Sequence, residues 1–181
     1  MPDLPERKPV LAGMATLQGP DIRLEALPEG HLLHVMGAIT TEGLEAHLSA
    51  AGIKDSGVRP AGYRQWFIAG NEALPHALVQ DLSNAFGGSA FVSDQSHGRV
   101  RIGISGPRAA ELLSKGTAVD LHLAAFSQGR SAVTLFGHIS VQVARTGADE
   151  FELTVLRSFA ESLYEELEAL ALSLGAARVA S

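Results

Sequence analysis

Apolar positions along this chain recur with two periods. Ile22, Leu24 and Ala26 alternate with Arg23 and Glu25, which predicts a half-buried strand. Pro28, Glu29 and Gly30 turn the chain. Leu32, Leu33, Val35 and Met36 predict a second strand, so the pair reads as a hairpin. Thr40 or Thr41 can cap a helix in which Leu44, Leu48 and Ala51 share a face, and Gly52 ends it. Lys54 to Gly62 is polar and punctuated by Gly57, Pro60 and Gly62, the pattern of a loop. Gln65 to Ala69 predicts a buried strand. Asn71 can cap the next helix, with Pro75 in its first turn and Leu74, Leu78 and Leu82 on its buried face; Gly87 and Gly88 terminate it.

The second half opens with strands at Ala90 to Ser93 and Arg99 to Ile104. Pro107 fits the first position of a helix carrying Ala109, Leu112 and Leu113, which Gly116 stops. Ala132 to Phe136, Ile139 to Arg145 and Phe151 to Leu156 predict further strands. Their short connections predict antiparallel pairing. Ser158 and Glu161 stand in capping-box spacing before a last helix with Leu163, Leu167, Leu170 and Leu174 as its stripe and Gly175 as its stop. The first half reads two strands, helix, one strand, helix, and the second two strands, helix, three strands, helix, which suggests a decayed duplication without a residue-level repeat.

Composition narrows the class. The 181 residues suit one domain, and 46% hydrophobic against 19% charged residues is a globular balance. Fourteen basic and twenty acidic residues give a net charge of -6 with no Lys/Arg cluster, which argues against nucleic acid as a partner. No cysteine is present, so disulfides, thiolate nucleophiles and Cys-type zinc sites are excluded. Residues 1–13 carry three prolines among charged residues and are expected to form a flexible arm; residues 14–181 are expected to be a single domain. Neither an apolar run of signal-peptide length nor a membrane span of about 20 residues is seen, so a cytoplasmic protein is expected.

Candidate chemistry is sparse. His31 and His34 lie three apart on one strand and point to opposite faces, so they do not chelate one ion; His47, His76, His97, His122 and His138 fall in different elements. Asp94, Ser96 and His97 have the residue types of a nucleophilic triad, but adjacent residues diverge, and a hydrogen-bonded turn explains them better. Ser105-Gly106-Pro107 lacks the lysine and glycine spacing of a phosphate loop. Arg108 opposes the dipole at a helix start and reads as a solvated side chain rather than an anion site. Trp66 and Tyr63 can stack a flat ligand, though a lone Trp in an apolar strand is usually core.

The segment from Asp94 to Thr134 reads Asp-Gln-Ser-His-Gly-Arg, then Ser-Gly-Pro-Arg-Ala-Ala, then Leu-Leu-Ser-Lys-Gly-Thr-Ala-Val-Asp-Leu-His, with Phe126 and Gly129 beyond. With Phe151-Glu-Leu-Thr-Val-Leu-Arg-Ser-Phe-Ala and the Leu-Tyr helix after it, this resembles the gamma-subunit family of heterotetrameric sarcosine oxidase. The likeness runs from about Tyr63 to Gly175. It departs at Thr117, where the family commonly has Cys, at Leu123, commonly Pro, and at Val133, often Gln. The family is itself similar to the folate-binding fold of glycine-cleavage aminomethyltransferase. The resemblance implies an α+β fold of two intertwined, pseudo-symmetric lobes of mostly antiparallel strands with packed helices.

The resemblance also implies an accessory role. The alpha and beta subunits of sarcosine oxidase would be its partners, and flavins, nicotinamide dinucleotide, folate and zinc would belong to them, with no cofactor in this chain. The aminomethyltransferase has an acidic pair in a Gly-rich turn. The comparable turn here, Ser127 to Ala132, has no carboxylate, and none follows until Asp149. Arg130 cannot replace one in stabilising a cation, because its sign is wrong. No catalytic, cofactor-binding or metal residue is therefore expected. A stand-alone folate-like binding module is the alternative reading, and an independent one-carbon transferase a weaker one. Asp120, Leu121, His122, Leu123 and Phe126 are the expected interface residues, or else they close the chain's own core. The isolated chain can expose an apolar patch and form a homo-oligomer through it.

Overall fold

A computed structural model describes residues 8–179. Strands β1 (Leu17–Gln18), β2 (Arg23–Ala26) and β3 (His31–Gly37) precede α1 (Thr41–Ala50). Then come β4 (Ser56–Gly62), β5 (Gln65–Gly70), α2 (His76–Ala85), β6 (Ala90–Asp94), β7 (Arg99–Ser105) and α3 (Ala109–Ser114). The chain continues through β8 (Ser131–Phe136), β9 (Ile139–Gly147), β10 (Glu150–Leu156), α4 (Ala160–Ser173) and β11 (Ala177–Arg178). A seven-stranded sheet has the order β11-β1-β2-β7-β10-β9-β8, and a four-stranded sheet the order β4-β5-β3-β6. Every pairing is antiparallel, as the short connections predict.

Two mirrored units emerge. β3-α1-β4-β5-α2 and β7-α3-β9-β10-α4 share one order, and in each the first strand pairs with the second strand of the hairpin. The units are intertwined because β2 joins the sheet of the second unit before the chain builds the first. This is the fold that the resemblance implied.

Each sheet turns one face to helices. Val100, Ile102, Ile104, Phe151, Leu153 and Val155 pack with Leu112 of α3 and Leu163, Tyr164 and Leu167 of α4. Leu33, Val35, Trp66 and Ile68 pack with Leu44 and Leu48 of α1 and Val79 and Leu82 of α2. The expected core reading of Trp66 holds, and its indole N–H donates to Thr41 Oγ1 at 3.1 Å. Of the expected arm 1–13, residues 1–7 lie outside the described residues. Leu11 packs in the larger core and the Val10 N–H donates to Glu29.

Several local expectations are corrected. Strands β2 and β3 are not a hairpin: the turn at Pro28–Gly30 carries the chain from one sheet to the other. The expected loop 54–62 holds an edge strand, β4. Gly57 and Pro60 are tolerated there because an edge leaves one side of the ladder unpaired. Asn71 does not cap α2, whose N-cap is Pro75; its Oδ1 instead accepts from Arg101. The fully buried residues of α2 are Val79 and Leu82, with Leu74 and Leu78 only partly covered. Arg108, not Pro107, precedes α3 directly. Ser158 forms no capping box, since a 3-10 turn at Arg157–Phe159 runs straight into α4.

Other ends behave as predicted. Thr40 caps α1, its hydroxyl accepting from the Gly43 N–H at 3.1 Å. Gly52, at φ 72°, closes α1 while the Ile53 N–H bonds Leu48 and the Gly52 N–H bonds Ser49, the paired bonds of a Schellman stop. Gly175 ends α4 the same way.

The remaining faces of the two sheets meet each other, and the layer between them is polar. Arg101 and Glu152 each keep 7% of the side chain exposed and pair at 3.3 Å; Arg59 of β4 reaches the same Glu152 oxygen at 3.4 Å. Arg101 also donates to the carbonyls of Gly70 at 2.8 Å and Pro28 at 3.0 Å and to Asn71 at 2.8 Å. One guanidinium thus ties β7 to β10, to the end of β5 and to the crossover. His31 packs beside this joint, donating from Nδ1 to the Glu72 carbonyl at 2.6 Å and accepting at Nε2 from Ser56 at 2.7 Å. A Cβ on Gly70 would lie 2.3 Å from the His31 ring, so only glycine admits this approach.

Thr40→Ala is expected to lower stability by about 1 kcal/mol, while Ser158→Ala changes it by less than about 0.5 kcal/mol. Urea unfolding of both checks which cap operates. Arg101→Met leaves buried Glu152 with Arg59 as its remaining cation and strips the carbonyls of Gly70 and Pro28 of their donor, and a loss of about 3 kcal/mol is expected by the same measurement. Adding Glu152→Met to it should recover part of that loss, because the buried carboxylate that has lost its most buried partner is then gone. Burial pushes the His31 and His34 imidazoles below their ordinary value, outweighing the hydrogen bonds to Glu72 and Gln65 that raise them. As pH falls through about 6.5 the unfolded chain takes up protons that the folded chain refuses, so stability falls. The urea midpoint should drop between pH 7.5 and 5.5, and drop less in His31→Gln.

Candidate functional site

The groups that the sequence singled out for chemistry are held in structural bonds. Asp94 Oδ1 accepts from the Ser96 N–H at 2.9 Å and from the Ser96 hydroxyl at 2.5 Å, and Ser96 Oγ in turn accepts from the Leu32 N–H. These bonds hold the Asp94 carboxyl below its ordinary value against the opposing effect of burial. The turn closes the β6–β7 connection, as its residue types predict. Arg108 forms a two-bond pair with Glu111 at 2.7 and 2.8 Å, so its charge is met within its own helix. Among the described residues no three His, Asp or Glu side chains converge as metal ligands.

The Gly-rich turn before β8 is shaped by Gly129 at φ 85°. Its N–H donates to the Arg145 carbonyl, and Arg130 Nη1 donates to Ala125 O at 2.8 Å. An exposed arginine, held by one hydrogen bond to the chain's own backbone, therefore occupies this turn.

Segment 120–126 divides. The Ala125 and Phe126 N–H groups both bond the His122 carbonyl, and this turn folds Leu121 and Phe126 into the larger core. Arg145 donates to the Leu121 carbonyl and ties the segment to β9. Leu121 and Phe126 are thus core residues rather than interface residues. Asp120, His122 and Leu123 stay exposed, Leu123 at 53%.

One feature was not anticipated. Between the sheets a cleft of about 200 Å³ is lined by residues that include His34, Gln65, Phe67, Arg99, Val133 and Gln142. The Arg99 guanidinium lies 5.0 Å from the Phe67 ring centroid, and His34 Nε2 pairs with Gln65 at 3.0 Å. Arg99, Gln142 and Ser131 sit at polar positions of alternating strands, a pattern that reads from sequence as a solvated face. Only the neighbouring sheet shows otherwise: Gln142 and Ser131 both donate to the Pro60 carbonyl of β4, at 2.7 and 2.5 Å.

Comparison with known proteins agrees with this geometry. The family model for sarcosine oxidase, gamma subunit, matches residues 44–171. Sarcosine oxidase subunit gamma from Corynebacterium sp. (strain U-96) is 30% identical over 141 residues, spanning 76% of this chain and 68% of that protein. A chain of heterotetrameric sarcosine oxidase from Corynebacterium sp. U-96, in complex with pyrrole 2-carboxylate, superposes with a TM-score of 0.78 at 26% identity, covering 96% of this chain and 99% of that one. Glycine cleavage system aminomethyltransferase T from Bartonella henselae superposes with a TM-score of 0.56 at 20% identity, over 81% of this chain and 45% of that one, and shares the fold. This chain belongs to the sarcosine oxidase gamma subunit family.

Proposed function

We propose that this chain is a non-catalytic accessory subunit of a sarcosine oxidase complex, packed against its alpha and beta subunits. The observation that carries the reading is the end-to-end likeness to a chain of the heterotetrameric enzyme, 96% of one on 99% of the other. In this reading the partner subunits oxidise sarcosine and pass the one-carbon unit to folate. Flavin, nicotinamide dinucleotide, folate and zinc belong to them, and the assembly works in the cytoplasm. The accessory part of the reading is supported by the bonds that commit Asp94 and Ser96 to a turn, and by Arg130 standing in the turn that the resemblance matches to an acidic one. Asp120, His122 and Leu123 are free to meet a partner.

Co-expression with the other subunits should give one complex that oxidises sarcosine. The chain purified alone should be colourless and inactive. Flavin absorbance that survives gel filtration of the isolated chain, or sarcosine oxidation by it, would sink the accessory reading. Calorimetry showing tight tetrahydrofolate binding at unit stoichiometry would point instead to a stand-alone binding module.

A further inference from the structure

The inter-sheet cleft has an apolar rim that the fold leaves bare. Residues directly opposed on antiparallel strands present their side chains to the same face. Val133 itself lines the cleft. Leu135 stands opposite Ser140, Leu156 opposite Arg99, and Met36 opposite Gln65, and each of those partners lines the cleft too. Phe91 stands opposite Met36. These five residues are 36% to 68% exposed and make up half of the ten large hydrophobic side chains that the described residues expose. Exposed apolar surface is therefore concentrated here rather than scattered singly, which is the signature of an interaction site.

The cleft floor adds a charge without a counter-charge. Arg99 Nε is buried with no hydrogen-bond partner, and burial pushes the guanidinium below its ordinary value. Gln142 is 3% exposed; its amide nitrogen is bonded to Pro60, but its Oε1 is buried and unpartnered. Among the described residues no acidic side chain lines the cleft. A guanidinium framed by apolar side chains is matched by a carboxylate that arrives with its own apolar flanks.

We propose that this cleft and its rim are a docking face for a partner subunit, whose seated segment places an Asp or Glu carboxylate on Arg99 and apolar side chains against Met36, Phe91, Val133, Leu135 and Leu156. The proposal rests on the accessory-subunit reading. A second copy of this chain is a poor occupant, because a two-fold contact sets the same patch against itself and brings Arg99 towards Arg99 with no carboxylate in either cleft. A free small molecule is also a poor occupant: the cleft of about 200 Å³ falls below the usual ligand-pocket range of roughly 300–1,000 Å³, while the rim is broad.

The test is co-purification of the full chain with its co-expressed partner subunits. Arg99→Glu and Leu135→Asp should each cut the assembled fraction roughly tenfold or more. Leu172→Asp, on the exposed face of α4, should leave it unchanged. Thermal melting of the isolated variants checks that they fold. Should Arg99→Glu fail to fold, Leu135→Asp decides, together with hydrogen exchange, which should show β8 and the start of β7 protected on assembly. Normal assembly of Leu135→Asp, or protection confined to other segments, would overturn the proposal. So would a homodimer of the isolated chain that Leu135→Asp abolishes while complex assembly persists. Failure of the wild-type chain to co-purify would instead overturn the accessory reading beneath it.

Discussion

The arrangement of this molecule depends on Arg101. Two sheets, each with one face covered by helices, must meet through their other faces, and the layer between them holds few apolar side chains: Leu32, Phe67 and Ala69, with Ala61 beside them. Dispersion and apolar burial cannot orient the sheets across so small a patch. A guanidinium with five fixed donors can, because it reaches a carboxylate, two backbone carbonyls and a side-chain amide at once. Glu152 makes the burial of that charge tolerable, and Arg59 brings the edge strand β4 to the same carboxylate.

The same joint explains local choices that look arbitrary alone. Asn71 is drawn from the start of α2 to Arg101, so the helix begins later, after Pro75. Gly70 must lack a side chain because His31 packs where a Cβ would stand. The crossover at Pro28 offers its carbonyl inward instead of turning β2 back on β3. The mirrored units therefore become one body through polar contacts, while each builds its own apolar core with its own helices.

Several polar groups whose residue types could serve chemistry are committed to structural bonds instead. Asp94 and Ser96 shape a turn, Arg130 anchors a loop, and Arg108 is answered within its helix. The exposed side chains around the cleft are apolar, and the charge inside it is unmatched.

Most strands and helices were legible in the sequence because local rules govern them. Alternation marks β2, β7 and β10, Thr40 caps α1, and Gly52 and Gly175 stop their helices through backbone conformation alone. The motifs from Asp94 to Thr134 were enough to identify the family, since they survive as residue types whatever their contacts. Tertiary structure decided what local rules cannot see. The polar positions Arg101, Gln142 and Glu152 alternate as a solvated face would, and only a second sheet laid against them makes them interior. Residues 54–62 carry the Gly and Pro of a loop, yet pairing with β5 draws β4 from them. Beside Asp120 and His122, Leu121 and Phe126 fit an interface or a core equally well in sequence, and one turn folds them inward. Period and propensity report how a segment orients its own side chains; which faces meet is decided by segments far apart in the chain.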